Sequence, residues 1–429
     1  MTQANHAIDR RGFLRRAGLA AGASAVLPLL GATGCGTATA TRSAAETGDP
    51  DALFKAGDFA AAERGYAQAW REDSADAHAA AQLGYIALLS NRFRDAEYHL
   101  RAALRLTPGD TRSKQRLGDC YVRQDLPARA VPLLPQPQAA QLSALTGTPY
   151  ETHGPQATRV PFLGMDPLPR LPASLNGAAP ESFVLDTGAM PLTISTETAN
   201  KAGLHAVSSM AGGTINGHTV TTYLGVLPSF RIGRLELRNV PVSWLDGEIL
   251  DPDGTGTVGT IGTGFFYHFL TTIDYKGRAL VLRRKTTAQR RAFRAAAARA
   301  GIRPQPLWLA GDHLPCTLGK INDYGPRVAC IDSGSTTGLN ISLANARRAG
   351  ITVNTASPVP INGGTSSVYP ITVDRMSIGN AINRNVPGSV GETPWEGMTG
   401  FDLLGNFTHK FFEPFAVTYD YVGMNLYVG

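Results

Sequence analysis

Cysteine is scarce in this sequence, with four residues among 429. So few cysteines exclude a disulfide-dense scaffold, and the absence of a Cys-x-x-Cys pair leaves a zinc site without support. The nine histidines are scattered along the chain, so we expect neither a metal nor a cofactor. No stretch after residue 35 reaches the roughly 18 apolar residues that a membrane-spanning helix needs.

Excess charge is also small. Lys and Arg total 40 and Asp and Glu total 34, which gives a formal charge of +6. Residues 1–35 supply +3 of it, because they hold four arginines and one aspartate. The remainder is only mildly basic, which argues against nucleic-acid binding as the main role. The length predicts about three domains.

The N-terminal residues 1–35 have the pattern of a targeting segment. Arg10 and Arg11 stand before Phe13 and Leu14, and an uncharged stretch follows as far as Cys35. This arrangement resembles a twin-arginine signal peptide, which implies export of the folded protein to a bacterial periplasm or cell envelope. A basic amphipathic start or an ordinary membrane anchor is the alternative.

Cys35 follows three small residues, Ala32 to Gly34. The segment resembles a lipobox, which implies lipid attachment at Cys35 and contact with the membrane through this anchor alone. Cleavage by an ordinary signal peptidase is the alternative. Residues 36–50 are rich in Gly, Thr, Ala and Ser, so they predict a flexible tether.

Residues 51–135 repeat with a period of 34. The matching columns are Ala62 with Ala96 and Ala130, and Leu83-Gly84 with Leu117-Gly118. The pattern resembles the tetratricopeptide repeat and implies a short α-solenoid whose groove binds a peptide or protein partner. A spacer, or a packing partner for the rest of the chain, is the alternative. Prolines end the pattern, and residues 136–159 are predicted to be a linker.

The remaining residues, 160–429, contain an internal duplication. Asp186-Thr187-Gly188 and Asp332-Ser333-Gly334 each follow an apolar run, and the two aspartates are 146 residues apart. The same offset carries Asp274-Tyr275 onto Asp420-Tyr421. Short β-rich runs broken by turns predict two all-β lobes, lobe 1 at 160–285 and lobe 2 at 303–429. An Ala-rich segment with four arginines, 286–302, is predicted to be a solvated helix joining them.

The duplication resembles the aspartic peptidases, in which two lobes each supply one catalytic aspartate. The resemblance covers residues 160–429 and implies a bilobal acid-protease fold, with Asp186 and Asp332 as the catalytic pair. It also implies that the hydroxyls of Thr187 and Ser333 bond to the backbone of the opposite lobe.

The proposed chemistry accounts for these residue types. Two adjacent carboxylates cannot both ionise cheaply, so they share one proton, and one acts as base while the other acts as acid. Gly188 and Gly334 allow a tight turn after each strand. We therefore expect an endopeptidase that acts on peptide or protein substrates as a monomer with an intramolecular dyad. The alternative is a peptide-binding envelope protein that holds its partner without cutting it.

Three further features carry expectations. Thr260-Ile261-Gly262 and Met398-Thr399-Gly400 are expected to pass beneath the catalytic turns, as a second family motif does. The flap is expected in Ala211–Tyr223, with a partner in Pro358–Tyr369, and Tyr223 is the candidate flap tyrosine.

Cys316 and Cys330 flank a turn near Asn322–Gly325 and are predicted to face each other across a hairpin. A disulfide between them is one expectation in an oxidising compartment. A pair of buried thiols is the other.

Overall fold

The structure of the chain is a computed structural model that describes residues 48–215, 218–245, 254–361, 366–391 and 395–429. The predicted signal peptide, Cys35 and most of the tether lie outside these residues. Within the described part of the chain, no helix is both long and apolar enough to cross a membrane.

An α-helical region precedes the β lobes. Aspartate side chains at Asp58, Asp76 and Asp110 cap the N-termini of three of its helices by accepting bonds from backbone N–H groups. The helices are α1 Pro50–Ala56, α2 Phe59–Glu72, α3 Ala77–Leu89, α4 Phe93–Leu106, α5 Thr111–Val122, α6 Pro127–Ala130 and α7 Gln136–Ser143.

The sequence period of 34 corresponds to a packing contact that recurs. A Cβ atom added at Gly84 would lie 2.6 Å from Leu100, and one added at Gly118 would lie 2.5 Å from Leu134. Each glycine therefore lets the leucine of the following helical unit approach its helix closely.

The predicted linker of residues 136–159 holds regular structure. Helix α7 lies in it, and the Gln141 side chain donates to the carbonyl groups of Gly225 and Val242, at 2.8 and 2.9 Å. These bonds attach the segment to lobe 1.

Lobe 1 and lobe 2 each contain an eight-stranded sheet. Their orders are β1-β8-β5-β9-β4-β3-β7-β6 and β13-β14-β15-β20-β16-β19-β18-β17. The strands before the interlobe helix are β1 Glu151–His153, β2 Ala157–Pro161, β3 Arg170–Leu175, β4 Glu181–Asp186, β5 Leu192–Ser195, β6 Ser208–Ile215, β7 His218–Ile232, β8 Leu235–Leu245, β9 Thr257–Gly262, β10 Phe269–Asp274 and β11 Ala279–Arg284. The later strands are β12 Gln305–Pro306, β13 Trp308–Ala310, β14 Leu314–Ile321, β15 Tyr324–Asp332, β16 Leu339–Ile341, β17 Val359–Ile361, β18 Ser366–Ile378, β19 Ala381–Val390, β20 Asn406–Thr408, β21 Ala416–Asp420 and β22 Asn425–Val428.

Among the described residues, six helices accompany the strands. They are α8 Thr196–Lys201, α9 Thr263–Phe266, α10 Thr287–Arg299, α11 Leu343–Arg348, α12 Glu396–Thr399 and α13 His409–Phe412. Helix α10 lies within the predicted interlobe helix, and its Arg290 and Arg294 bind the buried carboxylate of Asp420 at 2.8 and 2.7 Å. These two arginines therefore serve an internal ion pair.

A third sheet joins the two lobes, in the order β12-β22-β21-β10-β11-β2. At its centre β10 pairs with β21 antiparallel, and Thr272 stands opposite Thr418. Their hydroxyls are 2.7 Å apart, although the residues are 146 positions apart in the chain. The duplication seen in the sequence is therefore a local twofold relation in the structure, and it brings equivalent residues of the two lobes together.

The helical region packs directly on lobe 2. Phe54, Phe59 and Tyr85 share a buried apolar cluster with Phe401 and Trp395. Such burial is the dominant stabilising contribution between packed elements. The helical region therefore acts as a packing partner for the lobes, which was one of the two expectations for it.

Candidate active site

The two Asp-Thr/Ser-Gly segments stand at the ends of β4 and β15. A parallel strand lies beside each: Asp186 pairs with Gly262 of β9, and Asp332 pairs with Thr408 of β20. The aspartates stand at equivalent ends of these strands, and both are buried, with 5% and 3% of their surface exposed.

The second motif was correctly predicted in lobe 1 and was wrong in lobe 2. Thr260-Ile261-Gly262 lies in β9, whereas the strand beside the second turn is Asn406–Thr408 and not Met398–Gly400. Met398–Gly400 forms the end of α12, where the Thr399 carbonyl accepts a bond from Tyr85 of the helical region. Lobe 2 has Thr408 where lobe 1 has Gly262, so the glycine that would mark the motif is absent there. The 146-residue offset applied to Gly262 leads to it directly.

The two turns bind each other through reciprocal hydrogen bonds. The Thr187 hydroxyl donates to the Ile331 carbonyl at 3.1 Å and accepts from the Ser333 N–H at 3.1 Å. The Ser333 hydroxyl donates to the Leu185 carbonyl at 3.0 Å and accepts from the Thr187 N–H at 2.9 Å. Both side chains are fully buried, so the four bonds fix one lobe's turn relative to the other's.

Each carboxyl group lies over the glycine of the opposite turn. A Cβ atom added at Gly188 would lie 2.6 Å from Cγ of Asp332, and one added at Gly334 would lie 2.2 Å from Cγ of Asp186. A side chain at either position would occupy the space of the carboxyl group. The two glycines therefore permit the two carboxyl groups to approach one another.

Backbone and side-chain donors orient the carboxyl oxygens. The Gly188 N–H donates to Oδ1 of Asp186, and the Gly334 N–H donates to Oδ1 of Asp332, each at 2.9 Å. Asn406 adds a bond from Nδ2 to Oδ2 of Asp332 at 3.0 Å. Asn406 was not among the predicted site residues, although it is the 146-offset counterpart of Thr260.

A buried histidine lies against each turn. His409 Nδ1 is 2.9 Å from the Ser335 carbonyl, and burial lowers the pKa of His409 to about 4, which keeps this imidazole neutral. His313 Nε2 is 2.9 Å from the Gly188 carbonyl and crosses from lobe 2 to lobe 1. Sequence reasoning found neither histidine. His409 follows the hidden strand motif, and nothing in the sequence marks His313.

Two β-hairpins occupy the predicted flap segments. Strands β6 and β7 pair in lobe 1, and β17 and β18 pair in lobe 2. The hairpin tips lie outside the described residues. Tyr223 lies on β7 opposite Ser209, and its ring stacks on Trp244 at a centroid distance of 6.1 Å.

The predicted disulfide is not formed. Cys316 and Cys330 stand opposite each other on β14 and β15, as expected, but both are buried thiols in the structure. The Cys316 Sγ points to the Leu314 carbonyl and the Cys330 Sγ to the Gly405 carbonyl, each at 3.7 Å. The two sulfurs thus have separate acceptors, which agrees with the expectation of two small apolar side chains.

The described residues contain no group of three or more His, Cys, Asp or Glu side chains that could hold a metal ion. The site is thus built from two carboxyl groups, the hydroxyls that fix their turns, and the amide and imidazole groups beside them.

Comparison with known proteins supports this arrangement. One segment of each lobe, residues 171–265 and 318–405, matches the model of the family described as aspartyl protease, and each segment contains one of the two turns. On this match, the bilobal β region fits an acid-protease fold and a peptidase is supported. None of the curated proteins matches the chain.

Two solved structures are similar to parts of the chain. A retropepsin-like aspartic protease from Rickettsia conorii has 21% identity and a TM-score of 0.23, over 32% of this chain and 94% of that one. Conglutin gamma, a basic 7S globulin from lupine seeds, has 9% identity and a TM-score of 0.38, over 64% of this chain and 95% of that one.

Proposed function

We propose that the chain is an aspartic-type endopeptidase that hydrolyses peptide bonds with a water molecule activated by Asp186 and Asp332. One observation carries the proposal: each carboxyl group lies over the glycine of the opposite turn, and reciprocal bonds of Thr187 and Ser333 hold the turns together. A protein that only binds peptides has no chemical need for paired buried carboxyl groups.

The pair supplies an acid and a base in one site. The ionised carboxylate takes a proton from water, whose oxygen bonds to the carbonyl carbon of the substrate, while the protonated carboxyl group donates to the carbonyl oxygen. Collapse of the tetrahedral intermediate gives a hydroxyl proton to the carboxylate that acted as acid, while the other carboxyl group donates its proton to the nitrogen as the C–N bond breaks. The dyad ends with the single proton that it held at the start, so no cofactor is needed.

The test is hydrolysis of a denatured-protein mixture between about pH 3 and 7, where one of two paired carboxyl groups is protonated. Asp186→Asn and Asp332→Asn should each abolish cleavage while leaving thermal unfolding near that of the native chain, since Asn keeps the size of Asp. Asp323→Asn is the matched control, because Asp323 is exposed in a lobe 2 turn. Cleavage by either dyad variant at the native rate would place the chemistry elsewhere.

The same experiment separates the alternative. If native chain and variants cleave nothing but bind one peptide equally, the chain is a peptide-binding protein. The repeat groove of residues 51–135 is then the first place to look for the peptide.

We also propose export and lipid attachment. The residues concerned lie outside the described part of the chain, so experiments on variants must test both. Replacing Arg10 and Arg11 by Lys should block export through the twin-arginine route. Cys35→Ser should release the exported protein from membranes. An unchanged periplasmic yield of the double-Lys variant would remove the twin-arginine assignment.

A further inference from the structure

His313 joins the two lobes at the catalytic turn. It stands in the short loop between β13 and β14 of lobe 2, and only 4% of its surface is exposed. Its Nε2 is 2.9 Å from the carbonyl of Gly188 in lobe 1, and its Nδ1 is 2.5 Å from Oδ1 of Asp312. Gly188 is two residues beyond Asp186, so this contact bears on the geometry of a reacting group.

Both ring nitrogens of His313 face acceptors. A neutral imidazole has one N–H and can satisfy one of them, whereas the imidazolium donates to both. Burial opposes the charge, but Asp312 and the Gly188 carbonyl outweigh it and raise the pKa of His313, with a smaller contribution from Asp186. The side chain of Asp312 is 43% exposed, so water also solvates that partner.

The two lobes differ at this loop. The corresponding loop of lobe 1, residues 165–169, contains no histidine. The second turn is held instead by the neutral His409, from within its own lobe. The histidine at the first turn thus has a raised pKa, with Asp186 among the charges that act on it, whereas the histidine at the second turn has a lowered pKa.

The helical region determines where this loop lies. The Arg123 guanidinium is buried and donates to the carbonyl groups of Leu309 and Gly311, at 3.2 and 2.7 Å. The Tyr85 hydroxyl accepts from the Gly311 N–H at 3.3 Å. The titratable groups behind the loop are Arg123, whose charge acts on Asp312, and the buried Asp119, whose pKa is raised by burial and by the charge of Asp312.

We propose that His313 is a positioning residue for hydrolysis, which holds the lobe 1 turn through the Gly188 carbonyl, and that the helical region places it there through Arg123. The inference rests on the proposed peptidase function. It makes the helical region a part of the active-site architecture in addition to any binding role.

Two substitutions separate the bond from the charge. His313→Gln keeps an N–H donor for the Gly188 carbonyl and loses the charge, whereas His313→Leu loses both. We expect His313→Leu to lower kcat by about tenfold or more with KM within about twofold, as for the loss of a charge-assisted hydrogen bond. His313→Gln should recover most of kcat at the optimum pH.

The pH–rate profile gives a readout that a merely structural role would not move. Removing a positive charge beside Asp186 makes the second ionisation of the dyad harder, so the alkaline limb should move to higher pH in both variants, by about half a unit or more. His205→Leu is the matched control, because His205 is exposed in lobe 1. If His313→Leu fails to fold, the position of the alkaline limb in the His313→Gln profile tests the proposal by itself.

Arg123→Met tests the helical contribution in the full chain, with the exposed Arg105→Met as its control. It should lower kcat in the same direction as His313→Leu. If the native chain cleaves peptides and the His313 variants keep the native kcat and the native alkaline limb of the pH–rate profile, this inference is wrong. The proposed peptidase function is then unaffected. A native chain that cleaves nothing overturns both.

Discussion

Gly334→Ala tests whether the carboxyl group of Asp186 lies over the glycine of the opposite turn, as it does in the structure. The added Cβ would lie 2.2 Å from Cγ of Asp186 and 2.3 and 2.4 Å from its oxygens, whereas ordinary contact begins at 3.4 Å. The carboxyl group must therefore move by about 1.2 Å, the difference between 3.4 and 2.2 Å. A displacement of about 1 Å at a reacting group costs about a hundredfold in rate.

The expected result is a fall in kcat of about a hundredfold, with a loss of at most about 1–3 kcal/mol in the free energy of unfolding, as for an overpacked core. Gly188→Ala should behave alike, because its Cβ would lie 2.6 Å from Cγ of Asp332. The assay is peptide hydrolysis at the native optimum, with thermal unfolding measured on the same samples. Gly109→Ala is the control, since no atom lies within 4 Å of the added Cβ. A Gly334→Ala enzyme within about threefold of the native rate would refute the placement of Asp186.

Three further predictions follow from the buried polar groups. Thr187→Ala and Ser333→Ala each remove two cross-lobe acceptor or donor contacts but no acid or base, so kcat should fall by roughly five- to fiftyfold, and Thr187→Ser should restore it; equal rates in all of them would show that the bonds are dispensable. Burial and the charge of Asp312 raise the pKa of Asp119, so the folded chain binds a proton that the unfolded chain has lost, and stability declines as pH rises from about 4 through the raised pKa. Asp119→Asn should flatten that decline in unfolding temperature between about pH 4 and 8, and an unchanged slope would contradict the shift. Cys316 and Cys330 should both react with a thiol reagent when the unreduced protein is denatured. If neither reacts, the two cysteines form a disulfide after all.

The duplication could be recognised because equivalent residues of the two lobes recur at a fixed offset in the sequence. Each Asp-Thr/Ser-Gly follows an apolar strand, and the offset of 146 locates the equivalent element in the other lobe. The helical region was recognisable for a similar reason, since Gly84 and Gly118 recur 34 residues apart and each lies against a leucine. The same offset relates Asn406 to Thr260, but Asn406 was not predicted, because lobe 2 has threonine in place of glycine at 408 and the motif was assigned to Met398–Gly400.

The sequence alone therefore determined the local and periodic features: the two lobes, the two aspartates with their hydroxyl neighbours, and the helical region before them. Only the tertiary structure decided which distant side chains surround them. His313 and Gly188 are 125 residues apart, and Arg123 is 186 residues before Leu309, whose carbonyl it binds. A pattern in sequence records what neighbouring residues require of one another. A contact between separate domains depends on how their surfaces pack, and a single buried His or Arg carries no periodicity that would disclose its partner.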